Sequence, residues 1–78
     1  MTLKIISPSE ILFEGETTSV TLPGEMGSFT VLKNHASLIS VLTKGKIVFK
    51  TPGANEEEVD VKGGLVDVDN NVVSVCVY

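Results

Sequence analysis

Apolar residues along this chain skip one position at a time. Leu3 with Ile5, Val20 with Leu22, Phe29 with Val31, Val59 with Val61, and Val73 with Val75 and Val77 follow this rhythm. Successive side chains of a β-strand point to opposite faces, so each set lies on one face of a strand. Those faces predict the core. Apolar residues nowhere recur at helical spacing beyond about a turn and a half. The 12 valines, 5 isoleucines and 7 threonines make nearly a third of the chain β-branched, which stiffens χ1 and favours strands. The pattern predicts an all-β chain.

Turn formers punctuate the alternation at Pro8-Ser9, Gly15, Pro23-Gly24, Gly27, Lys33-Asn34, Lys44-Gly45, Pro52-Gly53-Ala54-Asn55, Gly63-Gly64 and Asp69-Asn70-Asn71. Short strands between such signals are the mark of a sandwich or small barrel. The expected strands lie near residues 2–7, 10–15, 17–22, 28–32, 36–43, 46–51, 56–62, 65–69 and 72–77. "ASLISVL" also fits a helix, but Ile39 and Val41 alternate with Ser40 and Leu42, and β-branching favours the strand. The acidic run Glu56-Glu57-Glu58 follows a Pro-Gly-Asn loop. It reads as a solvated hairpin arm that keeps an edge strand from pairing with a neighbour. No repeat, low-complexity segment or linker interrupts the 78 residues, which are expected to form one domain.

So small a chain buries only about 60 to 65% of the surface its unfolded form exposes, which leaves little material to wall off a deep pocket. Function is expected on a face or an edge. The net charge is -4 and all six cations are lysine, so the bidentate fork that favours phosphate backbones is missing and nucleic-acid binding is not expected. One cysteine excludes an internal disulfide and fits a reducing compartment. Cys76 alternates with valines in "VVSVCVY", which predicts a packed thiol behaving as a small buried hydrophobe. The longest apolar run is far short of the roughly 20 residues of a membrane helix, and the start lacks the pattern of a signal peptide. A soluble, unexported chain is expected.

The catalytic inventory is thin. His35 is the only histidine, Ser37 and Ser40 lie on an expected strand without a strained elbow, and no spacing suggests a triad. Lone His and Cys residues give no metal-ligand spacing, and Asp67, Asp69, Asn70 and Asn71 read as a hairpin turn rather than a calcium loop. No enzyme activity, cofactor or metal is expected. Two binding-type alternatives remain: a generic β-sandwich interaction module, and a lipoyl or biotinyl carrier domain. The second asks for one lysine on a protruding hairpin between acids or methionines; neither Lys62 in "VDVKGGLV" nor Lys44 and Lys46 in "TKGKIV" has that context.

The stretch "LPGEMGSFTVLKNHASLISVLTKG" resembles the β-sandwich domain of the epsilon subunits of F-type ATP synthases. The shared positions are Leu22, Pro23 and Gly24, then Gly27, Phe29, Val31 and Leu32, then His35, Ala36 and Leu38, and Gly45. Thr30 replaces the family's usual glycine, Lys33 and Asn34 its Pro-Gly, and Ser37 a proline. These changes touch turn geometry, and Asn34 can still adopt the left-handed conformation that glycine serves there. "LKIISPSEILFEGETTSVTLPG" and "VKGGLVDVDNNVVSV" resemble the family's opening and closing segments, so the likeness spans nearly the whole chain.

The resemblance implies a sandwich of two antiparallel sheets with about ten strands. It also implies a non-catalytic element of the central stalk. Its partners would be the gamma subunit, the polar loops of the rotor ring of c subunits, and the catalytic head through gamma. It would be membrane-associated only through those partners, on the cytoplasmic face of a bacterial inner membrane or the matrix or stroma side in an organelle. Glu25, Met26, Gly27 and Ser28 would form the tip that meets the ring: Glu25 pairing with a cation, Ser28 donating a hydrogen bond and Met26 giving adaptable apolar contact. The alternative for these residues is an ordinary exposed turn. Ser9 and His35 would border the gamma contact, on a face with apolar positions left over from the core. His35 otherwise reads as a histidine that fixes a corner by bonding backbone groups. Family members usually continue into a hairpin of two helices that can inhibit hydrolysis; these 78 residues stop at Tyr78 without it, so no such inhibition is expected of them.

Overall fold

The computed structural model describes residues 1–78. Nine strands carry the whole fold: β1 (Thr2–Ile6), β2 (Ile11–Glu16), β3 (Ser19–Gly24), β4 (Gly27–Leu32), β5 (Leu38–Leu42), β6 (Gly45–Lys50), β7 (Glu56–Val61), β8 (Gly64–Asp69) and β9 (Val72–Val77). The order β2-β1-β9-β8-β5 forms one layer and β4-β3-β6-β7 the other. A single pairing, Gly24 with Leu42, joins them, so the hydrogen-bonded ladder curls from one layer into the other. "ASLISVL" is strand, as its alternation predicts, and β7 with its glutamates is the last strand of the path.

Fourteen buried residues form one core between the layers. Leu3, Ile5, Leu42, Val66, Val68, Val73, Val75 and Val77 come from the first layer, and Val20, Leu22, Val31, Ile47, Phe49 and Val61 from the second. Phe29 and Val59, expected inside, are partly buried against it. Phe13 of β2 leans onto Phe49 of β6 with ring centroids 4.4 Å apart, closing one flank of the sandwich. Every buried side-chain nitrogen and oxygen has a hydrogen-bond partner, so the core carries no polar penalty.

The expected sandwich is present, and three details differ from the sequence reading. There are nine strands rather than about ten. The pairing of β1 with β9 is parallel, Thr2 opposite Val72 through Ile6 opposite Cys76, because the chain returns to the first layer through β8 and slots β9 beside β1. Cys76 is exposed rather than packed: Val73, Val75 and Val77 take the inner face, and the period of two sends Cys76 outward.

Candidate interaction surfaces

The loop between β3 and β4 is a two-residue turn, Glu25-Met26, closed by Gly24 opposite Gly27. Its glycines act differently. Gly27 sits at φ 126°, a conformation that side chains avoid. Gly24 is required by space: a Cβ there would lie 2.6 Å from the Gly27 carbonyl oxygen and 2.8 Å from the Phe29 ring. The turn is tied to the first layer by the Glu25 N–H, which donates to the Val41 carbonyl at 2.9 Å, and by the Thr43 N–H, which donates to the Pro23 carbonyl at 2.8 Å. A firmly held base thus presents Met26, 99% exposed, with Glu25, Gly27 and Ser28 exposed beside it.

Ser9 stands at the crown of the β1–β2 turn. Ser7 pins that turn, its hydroxyl accepting from the Glu10 N–H and its own N–H donating to the Glu10 carbonyl. The register fixes where this turn lies: Ile6 pairs with Cys76, next to Val77, which pairs with Gly64, which pairs with Leu42, which pairs with Gly24. Ser9 is therefore at the same end of the strands as the Glu25-Met26 tip.

His35 is at the opposite end. It follows β4 in a loop whose N–H returns to the Leu32 carbonyl, and its Nδ1 lies 2.6 Å from the Ala36 carbonyl. A carbonyl only accepts, so Nδ1 carries the proton and Nε2 is the nitrogen left for another partner. The loop is clipped to the β8–β9 turn: the Asn71 side chain bonds both the backbone and the side chain of Asn34, and the Ser37 hydroxyl donates to Asp69 at 2.6 Å. Asn34, Asn70 and Asn71 all have positive φ, at 64°, 49° and 61°. The Asp and Asn oxygens of this turn thus hold the fold together, and no group of three or more His, Cys, Asp or Glu residues lies close enough to hold a metal ion. Because Ser9 and His35 occupy opposite ends of five- to six-residue strands, a partner touching both must reach about 17 to 20 Å along the sheet.

At the Ser9 end, the outer face of the first layer carries the leftover apolar positions expected of an interface, on residues that the sequence reading did not name for that role. Ile11, Ile6, Cys76, Leu65 and Val41 are paired neighbours on five adjacent strands, and they form one apolar row across the sheet. Ile11 is 56% exposed, Leu65 51% and Val41 45%. The next row, Glu14, Lys4, Ser74, Asp67 and Ile39, is mostly polar. The signal lay in the odd phase of the alternation, but only the strand order brings these residues together.

Two charged groups are perturbed, both at exposed positions. The Glu16 carboxyl is held below its ordinary value by hydrogen bonds from the Thr2 hydroxyl and the Met1 ammonium, and by the ammonium's charge. The Lys46 ammonium is held above its ordinary value by its bond to Glu58 and by the charges of Glu58 and Asp60. The larger of two open hollows, about 410 Å³, is lined by Ser37, Leu38, Ile39, Asp67, Val68 and Asp69, and its Ser37 and Asp69 are already bonded to each other.

The family model described as "ATP synthase, Delta/Epsilon chain, beta-sandwich domain" matches residues 1–78. Among curated relatives, the ATP synthase epsilon chain of a Nitratiruptor species is 40% identical over 75 residues, covering 96% of this chain and 58% of the relative. That of Sulfurimonas denitrificans is 43% identical over 75 residues with the same coverage. The chain thus spans a little over half the length of these relatives. Of solved structures, a chain in the mitochondrial ATP synthase OSCP/F1/c-ring of Euglena gracilis matches with TM-score 0.89 at 21% identity, covering 96% of this chain and 48% of that one. A chain in the central stalk and c-ring of the Tetrahymena thermophila mitochondrial ATP synthase matches with TM-score 0.81 at 14% identity, covering 97% of this chain and 61% of that one. At those identities the likeness is one of fold.

Proposed function

From the premise that the chain belongs to the family of ATP synthase delta/epsilon-chain β-sandwich domains, we propose that it is a non-catalytic coupling element in the central stalk of an F-type ATP synthase. It binds the gamma subunit with the outer face of β2-β1-β9-β8-β5 and the rotor ring of c subunits with the Glu25–Ser28 tip. The observation that carries this reading is the apolar row from Ile11 to Val41. A soluble sandwich normally alternates apolar inside with polar outside, and a contiguous outer row of apolar side chains rimmed by polar ones is the composition of a protein interface.

The two contacts are compatible because they use different surfaces. The row crosses the broad side of the first layer at its Ser9 end, with the polar row between it and His35, whereas the tip projects from the adjoining edge where the layers join. Both partners can be held at once, as a coupling element between them requires. The tip is firm at its base through its bonds to Val41 and Thr43 and adaptable at its crown through Met26, whose unbranched thioether fits successive, non-identical positions of a ring. Glu25 pairs with a ring cation and Ser28 with a polar group. Membrane association is peripheral and comes through these partners, on the side of the membrane where the catalytic head lies.

Single cysteines at positions 25 to 28, read against the wild-type chain whose own exposed Cys76 sets the background, test the arrangement. They are expected to crosslink to the c subunits in synthase membranes, while the tagged wild-type chain recovers gamma in a pull-down. Failure to recover gamma under conditions that preserve the synthase overturns the stalk assignment; absent crosslinks with gamma recovered overturn the tip contact alone.

A further inference from the structure

Three of the six lysines converge on one groove. Lys44, Lys46 and Lys62, with Gly45, Asp60 and Val61, line an open hollow of about 380 Å³ on the second layer. The register explains the convergence. Gly45 pairs with Val61 and Lys46 with Asp60, and Lys44 just before β6 and Lys62 just after β7 flank that end of the ladder. Lys46 is engaged by Glu58 at 2.9 Å and Lys50 by Glu56 at 3.9 Å. Lys44 and Lys62 are in no ion pair. With Lys46 bound to Glu58, the hollow keeps two lysines without ion pairs against one carboxylate, Asp60, a local positive excess on a chain whose net charge is -4. The β6–β7 hairpin is thus polarised, with Glu56, Glu57 and Glu58 toward one end and the unpaired lysines at the other.

The lysine end is the tip end. Gly45 lies against Pro23, with its Cβ position 2.8 Å from the Pro23 side chain, and Thr43 bonds the Pro23 carbonyl; Pro23 leads directly into the Glu25-Met26 turn. Resting on the reading that this tip meets the rotor ring, the geometry points to Lys44 and Lys62 as a site for the phosphate of an anionic phospholipid headgroup at the membrane surface beside the ring. Lysine suits that role: a compact, mobile point charge follows a fluid headgroup without demanding the fixed fork geometry of arginine, and the open groove leaves room for the glycerol that accompanies the phosphate. Each lysine near an anionic surface is worth about fivefold in partitioning, so the pair supplies about 30-fold. Such a contact is weak for a free chain and effective for one already tethered at the membrane.

The test uses the 78-residue chain with phosphatidylcholine vesicles that contain or lack phosphatidylglycerol, read by co-sedimentation and by backbone amide shifts. The expected result is binding that requires phosphatidylglycerol, weakens with salt, moves the amides of residues 44 and 62, and falls about 30-fold in the Lys44→Gln/Lys62→Gln variant. The charge-matched Lys4→Gln/Lys33→Gln variant is expected to retain it. Equal losses in both variants, or no dependence on phosphatidylglycerol, overturn the site. Amide shifts as large with inorganic phosphate alone assign the lysines to a soluble anion and overturn the lipid assignment. Crosslinking from positions 25 to 28 to the ring, repeated in the Lys44→Gln/Lys62→Gln synthase, separates this site from the tip contact. Crosslinks that persist while vesicle binding is lost support both; vesicle binding in the wild type without ring crosslinks leaves the phosphate site standing and removes the tip contact.

Discussion

Asn34 and Asn71 grip each other with two hydrogen bonds from one carboxamide. The Asn71 side-chain oxygen accepts the Asn34 backbone N–H at 2.6 Å, and its nitrogen donates to the Asn34 side-chain oxygen at 2.9 Å. Both residues are left-handed, so each holds the other in a conformation that costs about 1 to 2 kcal/mol for an ordinary side chain. Asn34→Ala is expected to cost about 2 kcal/mol, from a lost bond and uncompensated strain. Asn34→Gly, which loses the bond but not the backbone freedom, is expected to cost about 1 kcal/mol or less. Urea denaturation of the two variants reads the difference; equal costs would mean that backbone conformation plays no part.

Neighbouring residues of β8 are expected to behave in opposite ways. Val66 is fully buried and Leu65 is half exposed, so Val66→Ala is expected to lower stability by about 2 kcal/mol and Leu65→Ala by about 0.5 kcal/mol or less. Gamma binding is expected to reverse the order, with Leu65→Ala weakening it about 10-fold or more. Binding unaffected by Leu65→Ala and Val41→Ala together would move the interface off this face.

His35 bonds only its neighbouring carbonyl and the Leu32 turn. His35→Ala is therefore expected to cost less than about 1 kcal/mol in stability and to weaken gamma binding by more than that. The opposite ranking, measured by melting and pull-down on the same samples, makes His35 a residue of the corner alone.

Charge reversal at the tip separates coupling from assembly. Glu25 is exposed and its side chain makes no hydrogen bond or ion pair within the chain, so Glu25→Lys is expected to change stability by no more than about 0.5 kcal/mol. Hydrolysis-driven proton pumping is expected to fall while gamma recovery is unchanged. Normal pumping at both low and high salt would deny the tip its role.

The Glu16 carboxyl gives the fold an acid-sensitive tie. Its folded pKa lies below the ordinary 4.5, chiefly through the Thr2 hydroxyl and then the Met1 ammonium. The stabilisation is therefore full above pH 4.5 and is lost as pH falls through the lowered folded value. Glu16→Gln is expected to be less stable than the wild type at neutral pH and equal to it in strong acid, with urea midpoints converging only below pH 4.5. The group is exposed, so added salt is expected to shrink the difference. A gap independent of pH would assign the tie to neutral hydrogen bonding.

The sandwich was legible because its code is local. A period of two and a turn signal every few residues mark where each strand starts and which side chains it buries, and Val73, Val75 and Val77 went inside as the alternation said. The same alternation puts Cys76, one step from Val75 and from Val77, on the outer face, so its place among valines marks a neighbour of the core and not a member of it. Asn34 was legible as a left-handed position, but its partner Asn71 was not, because no local pattern links two turns that meet only once β8 lies between β5 and β9. The apolar row has the same origin. Ile6, Ile11, Val41, Leu65 and Cys76 each look like an isolated outward residue, and only the strand order, with its parallel β1–β9 pair, makes them neighbours.

That parallel pair also sets a timetable. The hairpins β1–β2, β3–β4, β6–β7 and β8–β9 join strands adjacent in the chain and can zip as they leave the ribosome, whereas β9 must reach back across the whole sequence to lie beside β1, the costliest loop to close. Until it arrives, Ile11 and Ile6 on one side and Val41 and Leu65 on the other are two unconnected halves, and Cys76 is the piece that bridges them. The apolar row is continuous only once β9 lies between β1 and β8, so its completeness reports that the longest-range pairing of the nine strands has formed.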